Sequence, residues 1–429
     1  MTQTLSLRYR YISSSAVWGS ADCLSFHRGP LDKDDSNPYL KSAVFHQWIF
    51  GYELPDTIMM LTKDGNFYLC ATKKKCDFVR EASQNIPKGS PIKKMHLLLR
   101  NKEDSNAENY EILTKAGGLG SSDCKLGIIT KEREMNVEGG GILGPWEAKL
   151  TEAQEAKEVS LVDVAHGLSF AMSIKDETEL DLMKRSSILS NKVMKHGYVK
   201  KMEEVIDSEK KITHEALASF VDEILETPEK IGLKVAGEDV QSCYFPIVQS
   251  GGVYDLKASA QSTGENLTHD VILVSLGARY KNYCSNIGRT FLVDPPKKVS
   301  EHYELLLELQ DVCMEAMKPG NPAKAVYKAA VSFLKERDAE LVKNLPKTLG
   351  FATGLDFRDS HFLLSAKNSA QFRQGMVFCL NVGPQNLELS ESDRASSSDK
   401  SPVRAWNARQ SEYRFSPSRA TDFVSFIRR

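Results

Sequence analysis

Between Val271 and Val293 the chain reads VILVSLGARYKNYCSNIGRTFLV. Val271 to Val274 is a β-branched apolar run of the length expected for a buried strand, and Leu276-Gly277-Ala278 lets the chain turn just beyond it. A second strand runs from Tyr283 to Asn286 and on through Thr290-Phe291-Leu292-Val293, so the two runs read as neighbours in one sheet. Ser275 and Asn286 then stand where such a sheet presents two side chains into one cleft. Both are neutral, and that limits the chemistry the cleft can do.

The rest of the chain divides around this stretch. Residues 1–20 are Ser- and Tyr-rich without periodicity and form a divergent N-terminus. From 21 to 174 short apolar runs alternate with amphipathic ones, which predicts an α/β lobe. Its strand candidates are Ile58–Leu61, Phe67–Cys70, Met95–Leu99, Leu126–Ile129 and Val159–Val164; its helix candidates are Tyr39–Phe50, Lys75–Ala82 and Pro145–Glu155. A second lobe, 175–387, opens on the helical run at Lys175-Asp176-Glu177-Thr178-Glu179-Leu180. Within it Thr213 predicts an N-cap ahead of Leu217, Phe220, Val221 and Ile224 on one helix face. Ser300 precedes Leu305, Leu309, Val312 and Ala316 at helical spacing, and Asn321-Pro322 is expected to cap and start the next helix. The segment 388–429 is Ser- and Arg-rich, buries too little to offset its ordering entropy, and is expected to be disordered.

Several function classes are disfavoured by composition. A net charge of −1 lacks the basic excess of a domain that grips DNA through phosphates, and Lys73-Lys74-Lys75 and Lys93-Lys94 read as solvated faces. The eight cysteines are scattered without a Cys-x-x-Cys pair, which predicts reduced buried thiols. No run approaches the roughly 18 apolar residues of a membrane span. Gly117-Gly118-Leu119-Gly120 and Gly139-Gly140-Gly141 lack a following Gly-Lys-Ser/Thr and read as turns. Ser275 lacks the Gly-x-Ser-x-Gly setting of a nucleophile, and His269, His302 and His361 read as surface or packing residues.

The central stretch resembles the methionine aminopeptidase, aminopeptidase P and creatinase superfamily, whose pita-bread fold carries Asp-x-Gly on one strand and Tyr-x-x-Asp-x-x-Arg-Thr on the next. Here the letters are Ser275-Leu276-Gly277 and Tyr283-Cys284-Ser285-Asn286-Ile287-Gly288-Arg289-Thr290. Closer still is the resemblance to a catalytically dead branch, the N-terminal region of the large-subunit family of the FACT histone chaperone. It is carried by Gln47 to Leu54 (QWIFGYEL), Ile247 to Gly252 (IVQSGG), Tyr283 to Thr290 and Gly375-Met376-Val377-Phe378, from about Trp18 to about Leu387.

That resemblance implies a creatinase-like α/β lobe followed by a pita-bread lobe, an α/β (α+β) fold overall. It maps the superfamily's metal ligands onto Ser275, Asn286, Phe351 (in Gly350-Phe351-Ala352-Thr353-Gly354) and Asn381, none of which suits a divalent metal pair. Its proton-shuttling His-Glu pair falls on Arg358-Asp359, and its substrate-positioning His, expected after Ser250-Gly251, is replaced near Lys257. Ser250, Gly251, Lys257, Arg358 and Asp359 are therefore the candidate residues of a peptide cleft. The implied role is a non-enzymatic, cofactor-free component of FACT in the nucleus, on chromosomes, that reorganises nucleosomes in transcription elongation, replication and repair. Core histones are the implied partners, with transcription and replication factors and, through regions beyond this chain, the smaller HMG-box subunit. Neither sequence-specific DNA nor membrane is among the implied partners. The alternatives are an active metal-dependent aminopeptidase with unusual ligands, and a docking domain that leaves histones to other regions. The resemblance also implies truncation past Leu387, where the family continues with sheet strands.

Overall fold

The computed structural model describes residues 15–30, 37–86, 88–121, 123–133, 141–252, 254–257, 259–268, 271–293, 295–385 and 424–426. The chain divides into two compact units, 1–173 and 174–429.

Unit 1 is built on a mixed six-stranded sheet. Its strands are β1 (Cys23–Arg28), β2 (Thr57–Thr62), β3 (Asn66–Ala71), β4 (Lys94–Leu99), β5 (Cys124–Ile128) and β6 (Val159–Asp163), in the order β4-β3-β2-β1-β5-β6. β1, β2 and β3 pair antiparallel, and β4, β5 and β6 join in parallel, each reached through a helical crossover. The helices are α1 (Ser15–Trp18), α2 (Lys41–Phe50), α3 (Lys73–Gln84), α4 (Ala107–Gly117), α5 (Leu143–Glu155) and α6 (Ala165–Ser173). The apolar runs Ile58–Leu61 and Phe67–Cys70 fall inside β2 and β3, which are covered on both faces and need no polar alternation, and Met95–Leu99 falls inside β4, a half-buried edge strand. One side of the sheet buries Ile58, Met60 and Leu126 with Leu113 and Trp146 from α4 and α5. Gly118, the left-handed C-cap of α4, confirms the first glycine cluster as a turn; Gly139 and Gly140 lie outside the described residues.

His46 on α2 is fully buried, and its Nδ1 accepts the Leu54 N–H at 3.1 Å. Burial, helped by the charges of Arg28 and Lys75, pushes its pKa down to about 3 from 6.5. The unfolded chain therefore takes up a proton near pH 6.5 that the fold refuses until near pH 3, so stability falls as pH drops through that window. The loss amounts to about 1.4 kcal/mol per pH unit, or about 2 kcal/mol at pH 5. Urea unfolding followed by tryptophan fluorescence reports on unit 1, which holds Trp18, Trp48 and Trp146. His46→Gln is expected to flatten the pH 7 to pH 5 difference by that amount; an unchanged difference would rule the assignment out.

Unit 2 opens on α7 (Glu177–Val193), which starts where its sequence says it must. The Asp176 carboxylate accepts from Glu179 N at 2.8 Å while Glu179 accepts from Asp176 N at 2.9 Å, a capping box. A π-helical turn, Met194–Val199, leads into α8 (Lys200–Asp207), and α9 (His214–Glu226) follows with the Thr213 hydroxyl accepting from Ala216 N at 3.1 Å. Two three-stranded sheets come next, ordered β12-β9-β8 and β11-β10-β7. They comprise β7 (Val240–Ser242), β8 (Ile247–Gln249), β9 (Val271–Leu276), β10 (Ala278–Tyr280), β11 (Tyr283–Cys284) and β12 (Ile287–Leu292). Beyond them lie α10 (Lys297–Ala316), α11 (Lys324–Arg337) and a four-stranded sheet β14-β13-β15-β16, made of β13 (Thr348–Ala352), β14 (Asp359–Ser365), β15 (Val377–Leu380) and β16 (Val424–Phe426). The unit's main core joins Val193, Tyr198, Leu217, Val221, Val274 and Leu276.

Three expectations need correcting. Tyr283-Cys284 does not extend β12 but forms β11 in a separate sheet, because Lys281 and Asn282 (φ 46° and 70°) reverse the chain between β10 and β11. α10 starts at Lys297 on Pro296 rather than after Ser300. Asn321 caps backwards: its Nδ2 donates to Ala316 O at 3.0 Å, closing α10, while the first N–H groups of α11 go to Asn368 and Ala370 carbonyls. The predicted disordered tail lies outside the described residues except Val424–Phe426, which pair antiparallel with Val377–Cys379. The divergent start, 1–20, is described only from Ser15, where α1 begins. All eight cysteines are buried and none forms a disulfide.

Candidate functional site

Burial alternates along β9, with Ile272, Val274 and Leu276 facing the core and Val271, Leu273 and Ser275 facing the other way. β12 runs antiparallel beside it with Gly288 opposite Ser275, and β8 flanks the other edge with Ile247 opposite Ser275. Asn286 precedes β12, which is how a hydroxyl and a carboxamide from separate segments converge; Ser275 Oγ lies 3.4 Å from Asn286 Oδ1.

Between them sits a group the sequence did not announce, the phenol of Tyr244. It donates to Asn286 Oδ1 and lies 2.5 Å from Ser275 Oγ, so the serine proton is the one left to complete the triangle by pointing at the phenol oxygen. Burial holds the Tyr244 hydroxyl well above the usual phenol range, so it stays protonated. Gly277 makes room for the ring: a Cβ there would stand 3.1 Å from Tyr244 Cε1 and 2.5 Å from Ser285 O.

An aromatic wall continues outward from Tyr244. Its ring centroid is 5.0 Å from Phe357, which is 5.3 Å from Phe351, and the Arg358 guanidinium lies 5.7 Å from the Phe351 ring. The loop carrying Phe357 is tied down where Cys284 N donates to Gly354 O at 2.7 Å. Phe351 itself sits on β13 opposite Cys379 of β15. Thus the structure brings together Ser275, Asn286, Phe351 and Arg358, with Tyr244 and Phe357 as the members that sequence reasoning missed.

The other predicted residues have separate attachments. Asn381 donates from Nδ2 to Leu256 O at 3.3 Å. Ser250 Oγ is 2.7 Å from His214 Nε2 and accepts from Thr268 N at 2.8 Å, and His214 Nδ1 is 2.9 Å from Thr263 Oγ1. Next to it Gly251 takes φ 85°. Lys257 is exposed and ion-paired to Asp255 at 3.6 Å. Asp359 is buried and its Oδ1 accepts from His361 N at 2.9 Å. His302 and His361 face Asp338 (3.7 Å) and Asp359 (3.3 Å), as packing residues do; His269 lies outside the described residues.

Chemically the cluster is poor in reactive groups. Its polar members, one hydroxyl, one carboxamide, one neutral phenol and the Arg358 guanidinium, offer no anionic oxygen or imidazole, so they do not fit the divalent metal pair of the superfamily. Among the described residues no group of three or more His, Cys, Asp or Glu is placed to hold a metal ion. Cys243 and Cys379 have thiols pushed up by burial, which withholds thiolate. Among the described residues no helix is long and apolar enough to cross a membrane.

Comparison with known proteins agrees with the geometry. The model of metallopeptidase family M24 matches residues 181–398, and that of the FACT complex subunit SPT16 N-terminal lobe domain matches residues 3–167. The solved N-terminal domain of FACT complex subunit SPT16 from Cicer arietinum is 34% identical and covers 93% of this chain and 91% of its own, at a TM-score of 0.80. The rice FACT complex subunit SPT16 is 36% identical over 385 residues, 88% of this chain; the chain spans 35% of that relative's length. An X-Pro aminopeptidase from Thermotoga maritima, 16% identical at a TM-score of 0.59 over 85% of this chain and 88% of its own, shares the fold alone.

Proposed function

This chain belongs to the family of FACT complex subunit SPT16 N-terminal domains, built on the M24 peptidase fold, and from that premise we propose that it serves FACT as a peptidase-shaped binding module without catalysis. The parent assembly is a histone chaperone that reorganises nucleosomes in transcription, replication and repair, in the nucleus and on chromosomes. The proposed ligands of this region are core histones or their tails. Contact with the smaller HMG-box subunit is expected through parts of the relatives that this chain does not span.

The observation that carries the reading is the Tyr244 phenol lodged between Ser275 and Asn286. The resemblance to the metallopeptidases maps two of their metal-holding strand positions onto Ser275 and Asn286; here a ring fills the space between these two neutral side chains, and Phe351 and Phe357 extend the filling. A cleft shaped for an extended peptide retains its strand edges and side-chain pockets when the metal is gone, so capture without hydrolysis is physically consistent. On this reading Ser250, Gly251, Lys257, Arg358 and Asp359 line the peptide path, and Asp359, largely buried against His361, is the one negative charge of the set.

The test is a titration of the full chain with the core-histone tetramer, with the core-histone dimer and with isolated tails at 150 mM salt. Micromolar affinity is expected, weakened about five-fold by Asp359→Asn, which keeps the acceptor for His361 N but removes the charge. An X-Pro dipeptide incubated with Mn²⁺ is expected to remain intact. Turnover of that dipeptide, or histone affinity absent while replication or transcription factors still bind, would replace this reading.

A further inference from the structure

We infer that unit 1 carries a second docking surface, built around Tyr52 and Phe78, that takes an acidic peptide bearing an aromatic or bulky aliphatic anchor. Most large apolar side chains of unit 1 are inside, but Tyr52 is 57% exposed and Phe78 38% exposed. The two rings meet edge to face with centroids 4.8 Å apart and an interplanar angle of 86°. They come from different elements, Tyr52 from the turn after α2 and Phe78 from α3. Lys75 ties those elements together by donating from Nζ to Pro55 O. Leu99, 47% exposed, ends β4 where Arg100 N bonds Ala71 O, just ahead of α3. Tyr52 and Phe78 thus form a contacting pair that faces solvent, with Leu99 exposed at the end of β4, where scattered single side chains would need no explanation.

Charge identifies the occupant. α3 begins Lys73-Lys74-Lys75 with no acidic residue in its first turn, and its N-cap Thr72 makes no side-chain cap bond. Cations at the positive end of a helix are unfavourable, so this arrangement costs stability unless an anion comes to it. Lys74 lies one turn before Phe78 on the same helix face. Three nearby carboxylates are already engaged, Asp77 with Arg80 at 2.5 Å, Glu53 with Arg28 at 2.5 Å and Asp56 with Arg100, while the exposed Glu81 stands one turn beyond Phe78, away from the lysines at the helix start. Lys73 and Lys74 are both exposed. An aromatic platform beside uncompensated lysines fits carboxylates flanking an apolar anchor, and it repels a basic histone tail. It is therefore distinct from the histone path proposed in unit 2 and does not depend on it.

The probe is a fluorescein-labelled peptide of twelve residues, Asp and Glu around one central Trp, measured by anisotropy against the full chain at 100 mM salt. Micromolar binding is expected, reduced at least ten-fold by Tyr52→Ser with Phe78→Ser and at least ten-fold by Lys73→Glu with Lys74→Glu. The lysine pair should raise the melting temperature slightly by removing cations from the helix start, the aromatic pair should lower it modestly because Phe78 is partly buried, and histone binding should match the parent in both. Equal binding of a peptide with Gly in place of Trp would reduce the site to bare charge and overturn the inference. So would tighter binding of a single-stranded oligonucleotide of equal charge, self-association that the aromatic pair abolishes while the peptide fails to bind, or no binding at all.

Discussion

Replacing Gly350 by alanine is expected to destabilise unit 2 by about 4 kcal/mol or more, enough to leave much of it unfolded at 37 °C. Gly350 sits in β13 with φ 145°, a conformation L side chains rarely adopt, and a Cβ there would stand 2.1 Å from Cys379 O and 3.1 Å from Leu380 Cα. Both clashing atoms are backbone of β15, which is hydrogen-bonded to β13 at this register, so relief requires opening the sheet that holds Phe351. Gly264→Ala is the control, since a Cβ at that position meets nothing within 4 Å and its φ is not positive. Circular dichroism melts of the two variants should differ by more than ten degrees; similar melts would mean that β15 can retreat from β13 at little cost.

The double replacement Ser275→Asp with Asn286→Asp is expected to cost about 3 kcal/mol at pH 7.5, with each single replacement costing far less. The two side chains stand 3.4 Å apart around one phenol proton, which can satisfy one carboxylate and leaves the other facing a like charge. Repulsion raises the folded pKa of the pair above the unfolded value near 4, so the penalty is full above the raised pKa and fades as pH falls through it. Millimolar Mn²⁺ at pH 7.5 should recover part of the loss, because a cation supplies the missing countercharge. Comparing variant with parent at each pH cancels the His46 contribution. A double variant as stable as the parent at pH 7.5, or one indifferent to both acid and Mn²⁺, would show that Ser275 and Asn286 do not form one electrostatic site.

The β9 strand and the Ser275–Asn286 pairing were legible because both rest on local patterns, the β-branched run at Val271–Val274 and the spacing to Asn286. Boundaries failed where a distant segment supplied the hydrogen bonds. The start of α11 is satisfied by carbonyls from Asn368 and Ala370, so the apparent Asn-Pro cap was free to close α10 instead. β11 left the expected sheet because two consecutive non-glycine residues adopt positive φ, which sequence pattern marks weakly. Tyr244 was illegible for a different reason. It stands in Cys243-Tyr244-Phe245-Pro246, a stretch with no motif, and its part in the site arises from three segments meeting.

That phenol also bears on how such a site changes over generations. With a ring lodged between two neutral partners, one acid placed at either position recruits no metal, and two acids repel each other unless a cation arrives for them to share. Every single step toward a metal site therefore brings a loss or no gain, so a lineage that has placed an aromatic residue here is held on the far side of a fitness valley.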